Sequence, residues 1–351
     1  MNDNYYTKSC IEKIKNLLKG RKKEKEEERI MNYVTKLNSI VEIYLEGLHS
    51  QAFTGMFSLC FKNGDCLLRT EYLGKEKEKE NEKKGVRIIS KDEHGNIIPS
   101  YPESLFYRIR TSHDNCIEYS GEEMYHIPFE MGSKVANMRY SISGFPCFYL
   151  GASVYVCWEE LHRPQLETCN VSLFKLKQDI RVIDLSFKER HRFFTKSEDY
   201  LTDCLRLFCS VEVPIEKSND PFKMEYIIPQ LLMQCIVKNY NETNDASKSV
   251  LGVMYTSVHI NDSKTWFNRN TKKSRNLFNN YVFPALERQS QGISPLIERL
   301  FEEYNNTSFL EFETCHSTFP NGQHNKYDLS KFGRIESFLK SHPKGMPEYN
   351  E

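Results

Sequence analysis

The chain has 351 residues, enough for one large domain or two ordinary ones with a sizeable core. Its 48 basic and 48 acidic residues balance, which removes any global electrostatic reason to expect DNA, RNA or an anionic membrane as a partner. Aromatic residues make up 13% of the chain, which is typical of a packed globular protein and not of a disordered one.

The first residues, "MNDNYYTKSCIEKIKNLL", lack the basic start, apolar run and small-residue cleavage site of a signal peptide. The least charged stretches are too polar or too short to cross a bilayer, which needs about 20 apolar residues. The eleven cysteines are odd in number and form no C-x-x-C pair. We therefore expect a soluble, cytoplasmic protein with reduced cysteines and no metal site.

Residues 1–100 are predicted to form a helical and hairpin region. Apolar residues recur at three- and four-residue steps from about Ile14 to Phe53, which predicts helix. Asn63-Gly64-Asp65, between apolar runs, indicates a hairpin turn, and His94-Gly95-Asn96 indicates a second. This region holds no catalytic motif, so a regulatory role is one interpretation of it.

Residues 101–351 are predicted to form a second domain of mixed α+β structure. Short aromatic and β-branched segments predict strands: "LFYRIR", "CFYL", "VSLFKL", "IRVIDLS" and "SVLGVMYTSV". "IIPQLLMQCIVKNY" predicts a helix with proline in its first turn, and "SPLIERLFEEY" predicts an amphipathic helix.

One stretch, "NMRYSISGFPCFYLGASVYVCWEE", carries no charge between Arg139 and Glu159. "PCFYLGAS" predicts a strand entering a turn, with a helix or an extended segment after it. Such a unit can bring Arg139, Tyr149 and Glu160 to one cleft. Periodicity and composition by themselves favour a plainer interpretation, with Arg139 on the surface, Tyr149 in the core and both glutamates on a solvated helix face.

Four segments of this chain resemble the RES-domain family, which includes NAD-consuming bacterial toxins, and they occur in the family's order. They are "LFYRIR", "MRYSISGFPCFYLGASVYVCWEEL", "YIIPQLL" and "GVMYTSV". The tail "NLFNNYVFPA" is similar to that of longer members. The resemblance covers about Ser104 to Leu286, and nothing comparable covers residues 1–100.

The resemblance places the family's arginine on Arg139, its tyrosine on Tyr149, its glutamate on Glu160 and its serine on Ser257. Glu159 is the neighbouring candidate, but the eleven-residue step from Tyr149 favours Glu160. The chain departs from the family at Thr256, where proline is common before the serine.

The resemblance further implies an ADP-ribosyltransferase-like fold, with two packed, split β-sheets and NAD in the cleft between them. Glu160 would stabilise the oxocarbenium-like ribosyl centre, as carboxylates do in glycosidases. Arg139 would bind the pyrophosphate. Tyr149, with Tyr255 second, would stack on the cationic nicotinamide, and Ser257 would bond a ribose hydroxyl or position Glu160.

Arg108 in "FYRIR" is a further candidate for a phosphate or ribose contact, although a strand-edge arginine paired with a nearby acid explains it equally well. His126 with Cys147 or Cys157 could form a Cys–His pair, but no motif frames it. The sequence has no G-x-x-x-x-G-K-[ST], G-x-G-x-x-G or G-x-S-x-G motif. NAD is therefore expected as a substrate and not as a redox cofactor.

Three functions follow as hypotheses. The first is an NAD-consuming toxin or defence effector that passes ADP-ribose to water or phosphate, with a neutralising antitoxin or regulatory protein as partner. The second is an ADP-ribosyltransferase that acts on a macromolecule. The third is an inactive RES-like binding or regulatory protein, which the long N-terminal region motivates.

Overall fold

In a computed structural model, the structure describes residues 5–19, 24–74, 89–91, 97–99, 105–112, 119, 121–187, 192–258, 277–315 and 327–341. Its helices are α1 (Tyr5–Leu18), α2 (Glu24–Leu45), α3 (His49–Cys60), α4 (Val154–Glu160), α5 (Tyr200–Cys209), α6 (Ile227–Thr243), α7 (Pro295–Leu300), α8 (Phe309–Cys315) and α9 (Lys331–Ser341). No helix in these ranges is long and apolar enough to cross a membrane.

The strands are β1 (Phe61–Lys62), β2 (Asp65–Cys66), β3 (Thr70–Leu73), β4 (Ile89–Lys91), β5 (Ile97–Pro99), β6 (Leu105–Thr111), β7 (Cys147–Gly151), β8 (Cys169–Leu176), β9 (Ile180–Leu185), β10 (Val250–Thr256), β11 (Asn279–Pro284) and β12 (Phe301–Ser308). Eight of them form one mixed sheet in the order β12-β8-β6-β7-β11-β10-β9-β3, in which only β9 and β10 run parallel. The predicted α+β class is confirmed, while the ADP-ribosyltransferase-like arrangement remains a prediction.

This sheet is nearly divided in its middle. β6 and β8 pair over seven positions, whereas β6 and β7 pair at one position only, Tyr107 with Gly151. A three-stranded part (β12-β8-β6) therefore meets a five-stranded part (β7-β11-β10-β9-β3) at a single point. Next to that point the backbone N–H and C=O groups of β6 and β7 need hydrogen-bond partners other than each other.

The N-terminal region is helical as predicted, and it consists of three helices. The second helix ends before Gly47, whose φ of +84° suits a residue without a Cβ atom.

The Asn63-Gly64 turn is confirmed, with positive φ at both residues as a type I′ hairpin requires. The hairpin strands are short because "MFSLC", in the apolar run before the turn, is the end of α3. The second predicted turn, 94–96, lies outside the described residues; the strands beside it, β4 and β5, pair antiparallel.

The predicted helix "SPLIERLFEEY" is wrong in its second half. Ser294 caps α7 by accepting a hydrogen bond from the Ile297 amide, but the helix ends at Leu300. From Phe301 the chain forms β12, which pairs with β8. The tertiary pairing outweighs the helical pattern of charges and apolar residues.

The helices of the N-terminal region share a hydrophobic core with α5, α6 and one face of the five-stranded part. This core contains Leu37 and Met56 from the N-terminal helices, Leu205 and Leu232 from the later ones, and Val282 from the sheet. The boundary near residue 100 stays a prediction, and this shared core crosses it.

Replacement of Leu37 by alanine tests that packing. Because Leu37 is fully buried in the shared core, Leu37→Ala should lower the free energy of unfolding by about 2–5 kcal/mol. Both tryptophans, Trp158 and Trp266, lie beyond residue 100, so urea unfolding followed by tryptophan fluorescence should report the shift. Leu45→Ala, at a 44% exposed position, is the matched control. A fluorescence transition unchanged from wild type would show that residues 1–100 unfold independently.

Candidate functional site

Arg139 lies in the loop that precedes β7, next to Tyr140, which belongs to the hydrophobic core shared with the N-terminal helices. Its Nη1 atom donates to the carbonyl oxygens of Cys209 (3.1 Å) and Val211 (2.9 Å), at the end of α5. Carbonyl groups at a helix C-terminus attract a cation. The guanidinium also lies over the Tyr226 ring, 5.3 Å from its centroid. Since the bonds to described residues engage Nη1, the Nη2 and Nε donors remain for a ligand.

Gln230, in the first turn of α6, holds the loop that carries Arg139. Its Nε2 atom donates to Asn137 Oδ1 (2.6 Å), to the Met138 carbonyl (2.9 Å) and to the Ser141 carbonyl (3.3 Å). These bonds lie on both sides of Arg139 and fix the backbone from which its side chain extends. The glutamine of "YIIPQLL" therefore has a structural task that the sequence alone does not reveal.

Tyr149 and Tyr255 lie on the same face of the sheet. Side chains alternate along a strand, and Gly151 pairs with Asn280, which pairs in turn with Tyr255. Tyr149 shares the face of Gly151, and its hydroxyl group lies 2.8 Å from Ser141 Oγ. The Tyr255 ring packs against that of Tyr140 with centroids 4.8 Å apart.

Glu160 is the last residue of α4, the helix that follows β7. Ser153 caps α4 by accepting from the Val156 amide, and the buried carboxylate of Glu336 accepts from the Val154 amide at 2.7 Å. Both contacts fix the start of the helix and so direct its end. The Glu160 carboxylate is half-buried and accepts a hydrogen bond from Asn280 Nδ2 at 2.8 Å.

The two neighbouring glutamates occupy different environments. Glu159 is 3% exposed and forms an ion pair with Arg163, at 2.8 Å between Oε2 and Nε. Consecutive helical residues point about 100° apart, so only Glu160 reaches the sheet face that carries Asn280. The choice of Glu160 over Glu159 as the catalytic residue remains a prediction.

The Glu160 carboxylate and the Arg139 guanidinium both affect the pKa of Tyr255 and the pKa of Tyr226. Burial raises the pKa of Tyr255, the Glu160 carboxylate raises this pKa further, and Arg139 lowers it. Burial also raises the pKa of Tyr149 and of Tyr226, and Glu160 contributes to both shifts. The geometry links the same groups, because Asn280, which bonds Glu160, pairs with Tyr255 in the sheet, and the Arg139 guanidinium lies 5.3 Å from the centroid of the Tyr226 ring.

Ser257 lies two residues beyond Tyr255, directly after β10. It is buried, and its backbone amide donates to the Phe278 carbonyl at 2.9 Å. Thr256, where the family commonly has proline, uses its hydroxyl to donate to Asn279 Oδ1 (3.0 Å) and to accept from the Phe187 amide (2.7 Å). This threonine thus fixes the end of β10 by hydrogen bonds.

Arg108 occupies the point at which the sheet divides. Its Nη1 atom donates to the Tyr149 carbonyl at 2.8 Å and so replaces a backbone bond that β6 does not supply to β7. The guanidinium lies over the Phe148 ring, 5.4 Å from its centroid. Burial lowers the pKa of Arg108 to about 10, which leaves it charged at neutral pH. Through its bond to the Tyr149 carbonyl, Arg108 helps to position β7. A direct contact of Arg108 with a ligand remains a prediction.

The Cys–His alternative gains no support from the geometry. His126 is buried; its Nε2 accepts from the Ser294 amide at 2.8 Å, and its Nδ1 lies 2.7 Å from the Ile127 carbonyl. Burial raises the pKa of Cys147 to about 12 and also raises that of Cys157. Buried thiols with raised pKa values are poor nucleophiles.

Three residues of the site, Asn280, Gln230 and Tyr226, were missed as site residues by sequence reasoning. The signal for Asn280 was present in "NNYVFP", because two asparagines inside a buried strand need hydrogen-bond partners. The contacts of Gln230 and Tyr226 join segments about ninety residues apart, and no local pattern encodes them.

Comparison with known proteins adds one relative and one solved structure. No protein-family profile matches the chain. The chain is 32% identical over 262 residues to the putative toxin YopC of Bacillus subtilis strain 168, across 67% of this chain and 55% of that protein. It thus spans about half the length of this relative. The crystal structure of the M. tuberculosis MbcT–MbcA toxin–antitoxin complex includes a chain that is 12% identical, with 58% of this chain and 83% of that chain covered and a TM-score of 0.30.

Gly151 determines how closely α4 approaches the sheet, and its replacement tests this geometry. A Cβ atom at Gly151 would lie 2.5 Å from Cys157 Sγ and 2.7 Å from Val156 Cγ1. Gly151→Ala should therefore lower the free energy of unfolding by about 1–3 kcal/mol in urea titrations. In the control Gly55→Ala the new atom meets Ile40 Cγ1 at 3.4 Å, an ordinary contact, and the helix gains about 0.5–1 kcal/mol. Equal stability of the two variants would refute the close approach.

Proposed function

We propose that this protein is a toxin-like enzyme that cleaves the nicotinamide–ribose bond of NAD. The observation that carries the proposal is that Asn280, which bonds the Glu160 carboxylate, pairs in the sheet with Tyr255, whose ring packs against that of Tyr140 beside Arg139. A carboxylate, a guanidinium and aromatic faces match the ribosyl cation, the pyrophosphate and the nicotinamide ring of NAD respectively.

The reaction needs little acid catalysis. The C1–N bond of the ribose breaks, and its electron pair leaves with nicotinamide, which becomes neutral. Positive charge develops on the ribosyl carbon, and a new C1–O bond forms to water or phosphate, with loss of a proton from water or from the phosphate. Glu160 would stabilise the developing charge, as a carboxylate does in glycosidases.

The other residues of the site would bind the substrate. Arg139 keeps Nη2 and Nε for the pyrophosphate oxygens, which a planar guanidinium can bond in pairs. Tyr149 and Tyr255 offer faces for the cationic nicotinamide; such contacts contribute on the order of 0.5–2 kcal/mol. Ser257 lies beside Tyr255, where its hydroxyl would bond a ribose hydroxyl or Glu160.

The single bridge between β6 and β7 favours the ADP-ribosyltransferase-like split sheet. In that arrangement two parts of a sheet diverge and leave a cleft between them. Here α4, which carries Glu160, packs against β6, β7 and β11 beside the division. We infer that NAD binds on this side of the sheet.

Toxin activity is proposed from the similarity to the putative toxin YopC and from the RES-like residues. Depletion of NAD harms the cell that makes such an enzyme, so we infer a neutralising antitoxin or regulatory protein as partner. ADP-ribosylation of a macromolecule uses the same site residues, and only the acceptor differs between the two activities.

Removal of the Glu160 charge tests the mechanism. Glu160→Gln keeps the size and an acceptor for Asn280 but cannot balance a developing cation, so nicotinamide release from NAD should fall at least about 100-fold. Glu159→Gln is the matched control and should retain activity, because Glu159 pairs with Arg163 away from the site. Chromatography of the products, with folding checked by circular dichroism, gives the measurement.

The acceptor is identified by the same assay with and without phosphate. Free ADP-ribose indicates hydrolysis, its phosphorylated form indicates phosphorolysis, and label transferred from radiolabelled NAD to lysate macromolecules indicates the second activity. Full nicotinamide release by Glu160→Gln would refute the assignment of Glu160. No release by the wild type, together with no NAD binding in calorimetry, would favour a binding protein.

The bond from Asn280 to Glu160 yields a further prediction. Asn280→Ala removes the donor that orients the carboxylate, so kcat for nicotinamide release should fall roughly 10-fold. Asn241→Ala, at an exposed end of α6, should leave kcat unchanged. An unaltered kcat in Asn280→Ala would mean that α4 alone places Glu160.

A further inference from the structure

Helix α1 contacts both segments that hold Arg139. One is the C-terminal end of α5, whose Cys209 carbonyl accepts from the Arg139 guanidinium. The other is the short turn Met224–Tyr226, whose Tyr226 ring lies beneath the same guanidinium. Each of these segments receives a hydrogen bond from one of two consecutive tyrosines at the start of α1.

Tyr6 bonds the first segment. Its hydroxyl donates to the Phe208 carbonyl at 3.0 Å, one residue before Cys209. Its ring meets the Phe208 ring edge-on, with centroids 5.8 Å apart. Tyr6 is fully buried, so the bond and the ring contact together fix the end of α5 against α1.

Tyr5 bonds the second segment. Its hydroxyl donates to Glu225 Oε1, and Glu225 directly precedes Tyr226. Glu225 is 1% exposed, and its Oε2 atom has no hydrogen-bond partner among the described residues. Removal of the Tyr5 hydroxyl would therefore leave this deeply buried carboxylate without a hydrogen-bond donor in the described part of the chain, and loss of a donor to a buried charged group is strongly destabilising. The turn that carries Tyr226 would have to move before the Glu225 carboxylate could reach another hydrogen-bond donor.

We propose that Tyr5 and Tyr6 are positioning residues for Arg139, and that α1 thereby holds the substrate-binding arginine in place from outside the RES-like region. The inference rests on the proposed function for its kinetic consequences. It gives the N-terminal region a definite task, because a protein or modification that displaces α1 would weaken substrate binding without any contact to the site.

Single hydroxyl deletions test the proposal in the full chain. Tyr5→Phe and Tyr6→Phe keep both rings, and Tyr33→Phe on α2, whose ring lies against Lys36, is the matched control. The first measurement is the rate at which phenylglyoxal modifies Arg139, followed by peptide mass spectrometry. Both α1 variants should expose the guanidinium and speed this modification several-fold over the wild type and Tyr33→Phe.

The second measurement is steady-state kinetics of nicotinamide release. Displacement of Arg139 should raise KM for NAD roughly fivefold to tenfold, while kcat should stay within about twofold of the wild-type value. A merely structural role would instead reduce the folded fraction, which lowers apparent kcat at constant KM. That pattern, or labelling of Arg139 equal to that in Tyr33→Phe, would overturn the proposal.

The two readouts separate the inference from the proposed function. Failure of the wild type to consume NAD refutes the function, while the labelling rates still decide whether α1 positions Arg139. Normal NAD cleavage with unchanged labelling and unchanged KM in both α1 variants refutes the inference alone.

Discussion

The loss of pairing between β6 and β7 is the constraint on which the site depends. After the single bridge of Tyr107 with Gly151, the two strands no longer satisfy each other's backbone groups. Arg108 supplies a donor to the Tyr149 carbonyl, and α4 packs beside the division. A continuous ladder there would occupy that carbonyl with a backbone amide, so the same local break that costs sheet hydrogen bonds makes room for a site.

Around this division, charged side chains are held by hydrogen-bond partners from other segments of the chain. Arg139 is fixed through its Nη1 atom, and the Glu160 carboxylate accepts a hydrogen bond from Asn280. Glu159 shows the contrast, since burial and its ion pair with Arg163 give it a structural role. Rigid placement of half-buried charged groups is what a site needs when it must stabilise charge without rearrangement.

The N-terminal helices are part of the same core and not a separate appendage. They pack on the sheet face that carries Tyr149 and Tyr255, and Tyr5 and Tyr6 reach the segments that hold Arg139. Packing of this kind connects the stability of residues 1–100 with the geometry of the site. It offers a physical route by which a partner bound to this region would change activity.

The sequence by itself determined the α+β class, the helical character of the segment from about Ile14 to Phe53, the Asn63-Gly64 turn and most strands, because these follow from local periodicity and turn chemistry. It also named Arg139, Tyr149, Tyr255 and Glu160 as candidates. Only the tertiary structure decided that β12 replaces half of a predicted helix, that Glu160 and not Glu159 faces Asn280, and that Gln230, Tyr226 and α1 hold Arg139. Those contacts join segments far apart in the chain, and their energies depend on burial and register, which no local pattern records.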